Sequence, residues 1–518
     1  MDLQEFSSDT KQQALQIQPA ASNPPTTGVA TAVVATRKKL TLLPLVFLIY
    51  FQVAGGPYGE EPAVQAAGSL FAIIGFIVFP FLWSVPEALI TAELTTTFPG
   101  NGGFVIWAER AFGPFCGSLM GTWKIFSGIM NITAFPAFFI SYIEKIFPAL
   151  ESGWPRRIAV FVSTILLSLL NYFGLTIVGY VAIVLAFISF LHFILMTLIA
   201  MPKIQPRRWL SSGEMGVKRD WNLYLNTLFW NLNFWDNVST LAGEVENPHK
   251  TYPVALFVSI IFISLSYVIP LLAVVGAVPV EQSAWGSGFH AQAAEFIGGN
   301  WLKIVLDIGA GLSAIGMYEA QLSSSAYQIL GMAEIGILPR LFASRAKVFE
   351  TPWVGILICT TVSIGASYMQ FYDIVASANF IYSLGMLLEF TSFIWLRWKQ
   401  PELRRPFKVP MELPGLVVMC LFPMALLVVL MILTHKTVFF VSAIMTLAGT
   451  LWYFLIKLCK KKKIFKFNDS PQIIQQSYNG ISSEPSNHST IIQWNIFGSD
   501  QYSKPTRTCS SCSLISLD

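Results

Sequence analysis

The sequence predicts an all-α polytopic membrane protein with 12 transmembrane helices, the first and sixth of them discontinuous. The chain has a mean hydropathy of +0.58, and only 12% of its residues are charged. Apolar stretches recur that approach the ~20 residues a helix needs to cross ~30 Å of hydrocarbon. Two of them are interrupted by polar, helix-breaking segments, Ala54-Gly55-Gly56-Pro57-Tyr58-Gly59-Glu60-Glu61 and Asn231-Leu232-Asn233-Phe234-Trp235-Asp236-Asn237. A soluble core needs no such series, so the 518 residues read as one polytopic domain rather than several soluble ones.

Residues 1–36 are polar, rich in Gln, Thr and Ala, and lack the apolar core of a cleaved leader. They are expected to form a disordered cytoplasmic N-tail. The membrane domain follows at 37–458. Span 1 (40–68) holds the first break. Span 2 (70–94) carries Glu87, and span 3 (117–140) carries Lys124 and Asn131. Glu87 and Lys124 each fall ~10 Å from the same face at ~1.5 Å per residue, which makes them a candidate structural ion pair. Span 4 covers 157–172. Span 5 (175–201) contains His192, the one histidine inside a span; its simpler reading is packing, its sharper one a proton role. Span 6 (223–245) holds the second break and span 7 runs 254–279. Span 8 (301–330) places Glu319 and Gln321 near its middle, with Lys303 and Asp307 as an ordinary i, i+4 pair. Spans 9 to 12 cover 353–371, 374–396, 414–434 and 437–457. Residues 459–518 begin basic and end rich in Ser, Asn and Gln, a second cytoplasmic tail expected to be disordered.

The six cysteines show no disulfide framework, and Cys509-Ser-Ser-Cys512 lies in the tail. Cys459 beside Lys460–Lys463 is a palmitoylation candidate, with an unmodified thiol as the simpler reading. With both ends in the cytoplasm, 22 of the 33 Lys and Arg residues fall on that side and 9 on the other, as the positive-inside rule favours. The run Lys460–Lys463 with Lys466 is placed to touch anionic membrane lipid. The basic 202–221 loop, with Lys203, Arg207, Arg208, Lys218 and Arg219, dissents from that orientation.

Hydrocarbon offers no water to exposed backbone, so a broken helix is tolerated only where it lines a cavity. Breaks at matching places in two halves mark secondary transporters. In the first, Gly55 and Gly56 permit unwound backbone and Pro57 removes a donor. A half-helix should restart near Glu61-Pro62. Its positive end would otherwise attract an anion, but Glu60 and Glu61 already sit there, which favours a cationic substrate over a zwitterionic amino acid. In the second, Asp236 lies at membrane depth, where an ionisable group is costly and functional by default. Trp235, Phe234 and Tyr58 offer π faces to ammonium, or else pack the core. The candidate substrate-binding set is Gly55, Gly56, Tyr58, Glu61, Asn131, Trp235, Asp236, Glu319 and Gln321; the helix-break set is Gly55, Gly56, Pro57, Asn233, Phe234, Trp235 and Asp236.

Six segments carry a resemblance: Gly55-Gly-Pro-Tyr-Gly-Glu-Glu-Pro62, Phe79-Pro-Phe-Leu-Trp-Ser-Val-Pro-Glu-Ala-Leu-Ile-Thr-Ala-Glu93, Pro99-Gly-Asn-Gly-Gly103, Asn226-Thr-Leu-Phe-Trp-Asn-Leu-Asn-Phe-Trp-Asp236, Leu241-Ala-Gly-Glu-Val-Glu-Asn-Pro248 and Gln328-Ile-Leu-Gly-Met-Ala-Glu334. From about Leu40 to Leu455 the chain resembles the amino acid–polyamine–organocation superfamily. Within it, the chain resembles the plant polyamine uptake transporters, relatives of the L-type amino acid transporters. The resemblance implies a LeuT-like fold in which spans 1–5 and 6–10 form a 5+5 inverted repeat and spans 11 and 12 are peripheral. It also implies proton-coupled symport of putrescine, spermidine and spermine, with paraquat as an adventitious substrate. The chain departs from that pattern in carrying Asn131, Gln321 and Ser325 where the group has acidic residues, and Glu319 two positions early. Span 5 also lacks the lysine that many superfamily members have, which leaves the proton-carrying residue unassigned.

The expected partners are therefore polyamines, protons and lipid, with no cofactor, no metal and no nucleic acid; the sequence does not set the oligomeric state. Alternatives are an L-type amino acid transporter and, in another class, a non-transporting nutrient sensor or scaffold. An enzyme is disfavoured by the lack of an HExxH cluster, a GxSxG elbow or a P-loop. The expected address is the plasma membrane, with the endoplasmic reticulum or another endomembrane as the alternative.

Overall fold

In an apolar slab each backbone N–H and C=O must find its partner inside the chain, and helices are the elements that do this segment by segment. The computed structural model describes residues 39–468, apart from 145–146, 215, 368–370 and 435. The N-tail and residues 469–518 of the C-tail, with Cys509 and Cys512, lie outside the described residues. Among the described residues the elements are helices joined by loops, with one isolated bridge between Leu40 and Val245. Nine helices among them are long and apolar enough to cross a membrane. The other stretches read as spans from the sequence appear as shorter or broken pieces.

The first such stretch is α1 (Leu42–Val53) and α2 (Glu61–Ala67), with unwound chain between them. Next come α3 (Ser69–Phe79) and α4 (Val85–Thr97), joined by a π-helical turn at Pro80–Ser84. Proline removes a backbone donor there, and the wider turn absorbs the loss. A short α5 (Phe104–Phe112) leads into α6 (Pro114–Ile143), α7 (Gly153–Tyr172) and α8 (Leu175–Ala200). The second broken stretch is α9 (Trp221–Leu232), capped by the Asp220 carboxylate on Leu223 N–H, followed by a 3₁₀ helix at Asn237–Glu244. Then come α10 (Pro248–Ala277), α11 (Phe289–Gly298), α12 (Asn300–Glu334), α13 (Trp353–Ala366), α14 (Phe371–Lys399), α15 (Leu413–Leu433) and α16 (Lys436–Lys461).

Burial sorts these helices. All of α12 from Tyr318 to Ala333 is buried, as are the faces of α1 and α6 that meet it. By contrast, α8 exposes Tyr180, Val184, Phe187, Leu191 and Ile194, and α16 exposes Phe440, Leu447, Leu451 and Phe454. Exposed apolar bands this continuous are what a hydrocarbon solvent selects. The four located cysteines are free thiols.

The loop Pro99-Gly-Asn-Gly-Gly103 shows why small residues recur there. A Cβ on Gly331 of α12 would lie 2.2 Å from Gly102 N and 2.3 Å from the Asn101 carbonyl carbon. Two backbones touch, so only glycine fits. Gly331→Ala is expected to cost about 1–3 kcal/mol through overpacking, read as a lower melting temperature of the detergent-purified protein. An unchanged melting temperature contradicts this close approach.

Candidate functional site

Glycine makes the first break possible. Gly55, Gly56 and Gly59 hold φ of 67°, 122° and 89°, in the left-handed region that favours glycine. Ser313 of α12 donates to the Gly55 carbonyl, and a Cβ at Gly55 would strike Met317 at 2.6 Å. The second break is held differently. Phe234 takes φ 72°, a strained value for a bulky residue, and its N–H donates to the Tyr382 hydroxyl at 3.1 Å. Asn233 is fully buried, and neither its amide nitrogen nor its oxygen has a hydrogen-bond partner.

The two breaks are stitched together. Asn231 Nδ2 donates to the Gly59 carbonyl at 2.9 Å, and Tyr267 of α10 donates to the Asn231 carbonyl at 3.0 Å. Trp230 lies over Gly59 and donates to Asn131 Oδ1 at 3.3 Å. From α12, Gln321 Nε2 donates to the Gln52 carbonyl at 3.1 Å, the Gln52 side chain donates to Ser324 Oγ, and the Ser324 carbonyl accepts from Thr240 at 3.0 Å.

Charge gathers at both breaks. On the α11 side, Glu61 accepts from Gly59 N–H at 2.8 Å and from His290 N–H at 3.4 Å, and Glu60 meets His290 Nε2 at 3.0 Å. All three residues are buried. Toward the chain termini, Asp236 is fully buried; Lys124 pairs with its Oδ2 and the Tyr382 hydroxyl lies 2.6 Å from its Oδ1. The same hydroxyl lies 2.8 Å from Glu87 Oε1, which also accepts from Trp235 N–H at 2.9 Å. The Lys124 ammonium sits 3.7 Å from the Tyr382 ring centroid, 5.0 Å from that of Phe104 and 3.9 Å from a Glu389 oxygen.

The geometry corrects one sequence expectation and places the other candidate residues. Lys124 takes Asp236 as its ion-pair partner rather than Glu87; Glu87 joins the cluster through the Tyr382 hydroxyl. Glu319 turns to α7, where Asn171 Nδ2 reaches it at 3.2 Å, whereas Gln321 turns to α1. At ~100° per residue, two positions are ~200° of helix, so the two side chains face opposite ways. Trp235 keeps its indole N–H on the Leu232 carbonyl at 2.9 Å. Tyr58, half-buried, points to His192 Nε2 at 2.6 Å and donates to the Leu306 carbonyl at 3.1 Å. Gly56 packs near Tyr50, Tyr58 and Ser189. Glu389, Tyr382 and His290 escaped the sequence reading. Glu389 had a signal: it is the one carboxylate in the apolar 374–396 stretch.

Below this cluster, toward the termini, lie further ionic contacts. Arg345 Nη2 reaches Glu244 at 3.0 Å and Glu334 at 3.2 Å, and Asn101 Nδ2 donates to Glu244 at 3.0 Å. Leu40 and Val245 run side by side, with Leu40 N–H on the Glu244 carbonyl and Glu246 N–H on the Leu40 carbonyl, both 2.9 Å.

A multi-pass helical protein with two interrupted helices meeting around buried charge is a membrane permease in class. The amino acid permease family matches residues 40–456, and the chain belongs to it. It is a transporter rather than an enzyme. It is 45% identical over 443 residues to a probable polyamine transporter of Arabidopsis thaliana, covering 85% of this chain and 89% of that one. It is 46% identical over 436 residues to the polyamine transporter RMV1 of Arabidopsis thaliana, covering 84% and 89%. It is also 46% identical over 439 residues to the polyamine transporter PUT1 of Oryza sativa subsp. japonica, covering 85% and 82%.

Two outcomes test the site's electrostatics. Removing one member of a buried ion pair costs about 3–5 kcal/mol, because the other charge stays behind. Lys124→Met is therefore expected to lower the melting temperature sharply, and adding Asp236→Asn to recover most of the loss; additive losses contradict the pairing. His290 supplies a pH response. Burial alone lowers its imidazole, but Glu61 and Glu60 outweigh it and hold it above its ordinary value of 6.5. A raised folded value means the contact stabilises below about 6.5 and fades as pH rises past it. His290→Asn is expected to flatten the melting temperature against pH as pH rises above about 6.5, and an unaltered profile contradicts the contact.

Proposed function

We propose that the chain imports polyamines such as putrescine, spermidine and spermine, with paraquat as an adventitious passenger, by alternating access and proton-coupled symport. The observation that carries this reading is the charge inventory at the breaks. Glu60, Glu61, Glu87, Asp236 and Glu389 are all buried there, against Lys124 and His290 as the facing cations. A surplus of carboxylate in a low-dielectric site favours a polycation, and the names of the relatives point the same way. Glu61 also takes the Gly59 N–H that an amino acid's carboxylate would need, which weighs against an L-type amino acid carrier.

In this reading the fold is LeuT-like, with 12 transmembrane helices. α1 with α2 and α9 with its 3₁₀ extension are discontinuous helices 1 and 6, spans 1–5 and 6–10 are the inverted repeats, and α15 and α16 are peripheral. Both termini face the cytoplasm, and the plasma membrane is the address. The structure then corresponds to a form closed on both sides, by His290 against Glu60 and by Arg345 against Glu244 and Glu334. An entering ammonium replaces His290 at Glu60 and Glu61. Gly55, Gly56, Asn131, Gln321 and the unpartnered Asn233 amide line its path, Tyr58 and Trp235 flank it, and Asp236 receives it on the exit side once Lys124 has moved. Each positive charge gains about 2.3 kcal/mol from 100 mV, so a trivalent polyamine gains roughly 7 kcal/mol.

The test is uptake of radiolabelled spermidine in yeast lacking its own carriers. Glu61→Gln and Asp236→Asn are each expected to cut initial uptake at least tenfold at equal surface expression. Uptake like wild type in the double variant removes the electrostatic basis, and leucine competition where spermidine is silent restores the amino acid reading.

A further inference from the structure

The cluster toward the termini holds three carboxyl groups, Glu87, Asp236 and Glu389, against one ammonium, Lys124, and all are sealed from solvent. Two uncompensated negative charges at that depth are prohibitively costly, so protons must make up the difference. Hydrogen bonding shows where one of them is held. The Tyr382 hydroxyl has a single proton, yet it lies within bonding distance of both Glu87 Oε1 and Asp236 Oδ1 while accepting from Phe234 N–H. One of those two contacts therefore uses a carboxyl proton. Asp236 is neutralised by Lys124, which leaves that proton with Glu87, fixed among Trp235 N–H and Tyr382.

Glu389 is in a different position. No donor reaches either of its oxygens, although it is completely buried. The charged groups that face it are Asp236 from the second break, Lys124 from α6 and Glu87 from α4, and the Phe104 ring of α5 borders the same ammonium. Lys124 stands 3.9 Å away, nearer to Asp236 but within one side-chain rotation of Glu389.

We infer that Glu389 carries the exchangeable proton of the transport cycle, with Lys124 moving between Asp236 and Glu389 as that proton is held or released. This deepens the proposed function and rests on it for the substrate. With the proton on Glu389, the neutral carboxyl does not compete for the ammonium, and Lys124 stays on Asp236, as here. When the proton leaves to the water on the termini-facing side, the new carboxylate takes Lys124. Asp236 then becomes free to meet the departing ammonium, and proton and substrate exit to the same side. No bond other than the O–H bond of Glu389 breaks, and the proton is taken up again from the opposite side in the next cycle.

The test uses the purified full chain in proteoliposomes. Glu389→Gln fixes the neutral form. Lys124 then has no second carboxylate to take and Asp236 stays occupied, so spermidine counterflow is expected to fall at least fivefold in a monodisperse preparation. Accumulation driven by an acid-outside gradient is expected to fall with it, and the residual uptake to become flat with pH. A Gln variant that still responds to the gradient as wild type does, or that keeps counterflow within twofold of wild type, overturns the assignment. Glu389→Asp keeps the acid but withdraws it by one methylene from Lys124. It is expected to shift the pH midpoint of uptake, and an unshifted midpoint overturns the assignment even where the Gln variant does not fold. A substrate-free measurement separates this inference from the substrate reading. The wild-type minus Glu389→Gln infrared difference should contain a carboxylic-acid carbonyl band that fades as pH rises. Its absence overturns Glu389 as proton carrier whichever solute the chain moves, whereas its presence with no polyamine counterflow sinks only the choice of substrate.

Discussion

The ion pair between Lys124 and Asp236 is the contact on which the second break depends. An interrupted helix exposes backbone donors at the start of its second piece, and in a membrane those donors need partners from within the chain. Here Glu87 supplies them, accepting from Trp235 N–H at 2.9 Å and lying 3.4 Å from Asp236 N–H, and Asp236 occupies the position just before the 3₁₀ helix. Two acidic side chains at one helix start suit its positive end but are too much charge for a sealed interior. Lys124 and the Tyr382 hydroxyl make the arrangement tenable, and the same hydroxyl holds the strained Phe234 backbone.

The first break solves the same problem with the same chemistry. Glu61 opens α2 and folds back onto Gly59 N–H, and Glu60 beside it is met by His290 from α11. In each case the chain supplies its own carboxylates to an interrupted helix and then its own cation to those carboxylates. The two cations differ in kind. Lysine is a strongly basic ammonium on a long flexible stem, able to reach more than one carboxylate. Histidine titrates near neutrality, so the contact on the α11 side answers to pH directly.

The broad architecture was legible because hydropathy and helix breakers act locally. Gly55-Gly56-Pro57 announces an interruption wherever it falls in an apolar run, and Asp236 among Phe and Trp residues announces a cost that something must offset. What was not legible is which side chains face each other across helices. Lys124 and Glu87 share a depth, and depth alone suggested a pair, but helix rotation gives the ammonium to Asp236. Glu319 and Gln321 likewise share a depth and face opposite neighbours. Rotation is set by packing such as Gly331 of α12 against the Asn101–Gly102 backbone, a contact between parts of the chain that no local pattern connects. His290 was overlooked for a related reason: it lies on a short helix between spans, where nothing in the sequence shows that it folds inward onto Glu60.

These contacts also constrain what can move. The two broken helices are tied to each other at both ends, by Asn231 on Gly59 on one side and by the Leu40–Val245 bridge on the other. The Leu40–Val245 tie is backbone to backbone, and the Asn231 tie runs from a side-chain amide to a backbone carbonyl. Their connections to α12 are mostly side-chain bonds, from Ser313 to Gly55, Gln321 to Gln52 and Gln52 to Ser324, each of which breaks by rotating one group. His290 with Glu60, and Arg345 with Glu244 and Glu334, join the broken stretches to α11 and to the segment after α12. Under the proposed transport cycle, opening a path on either side would require the ionic contact on that side to part.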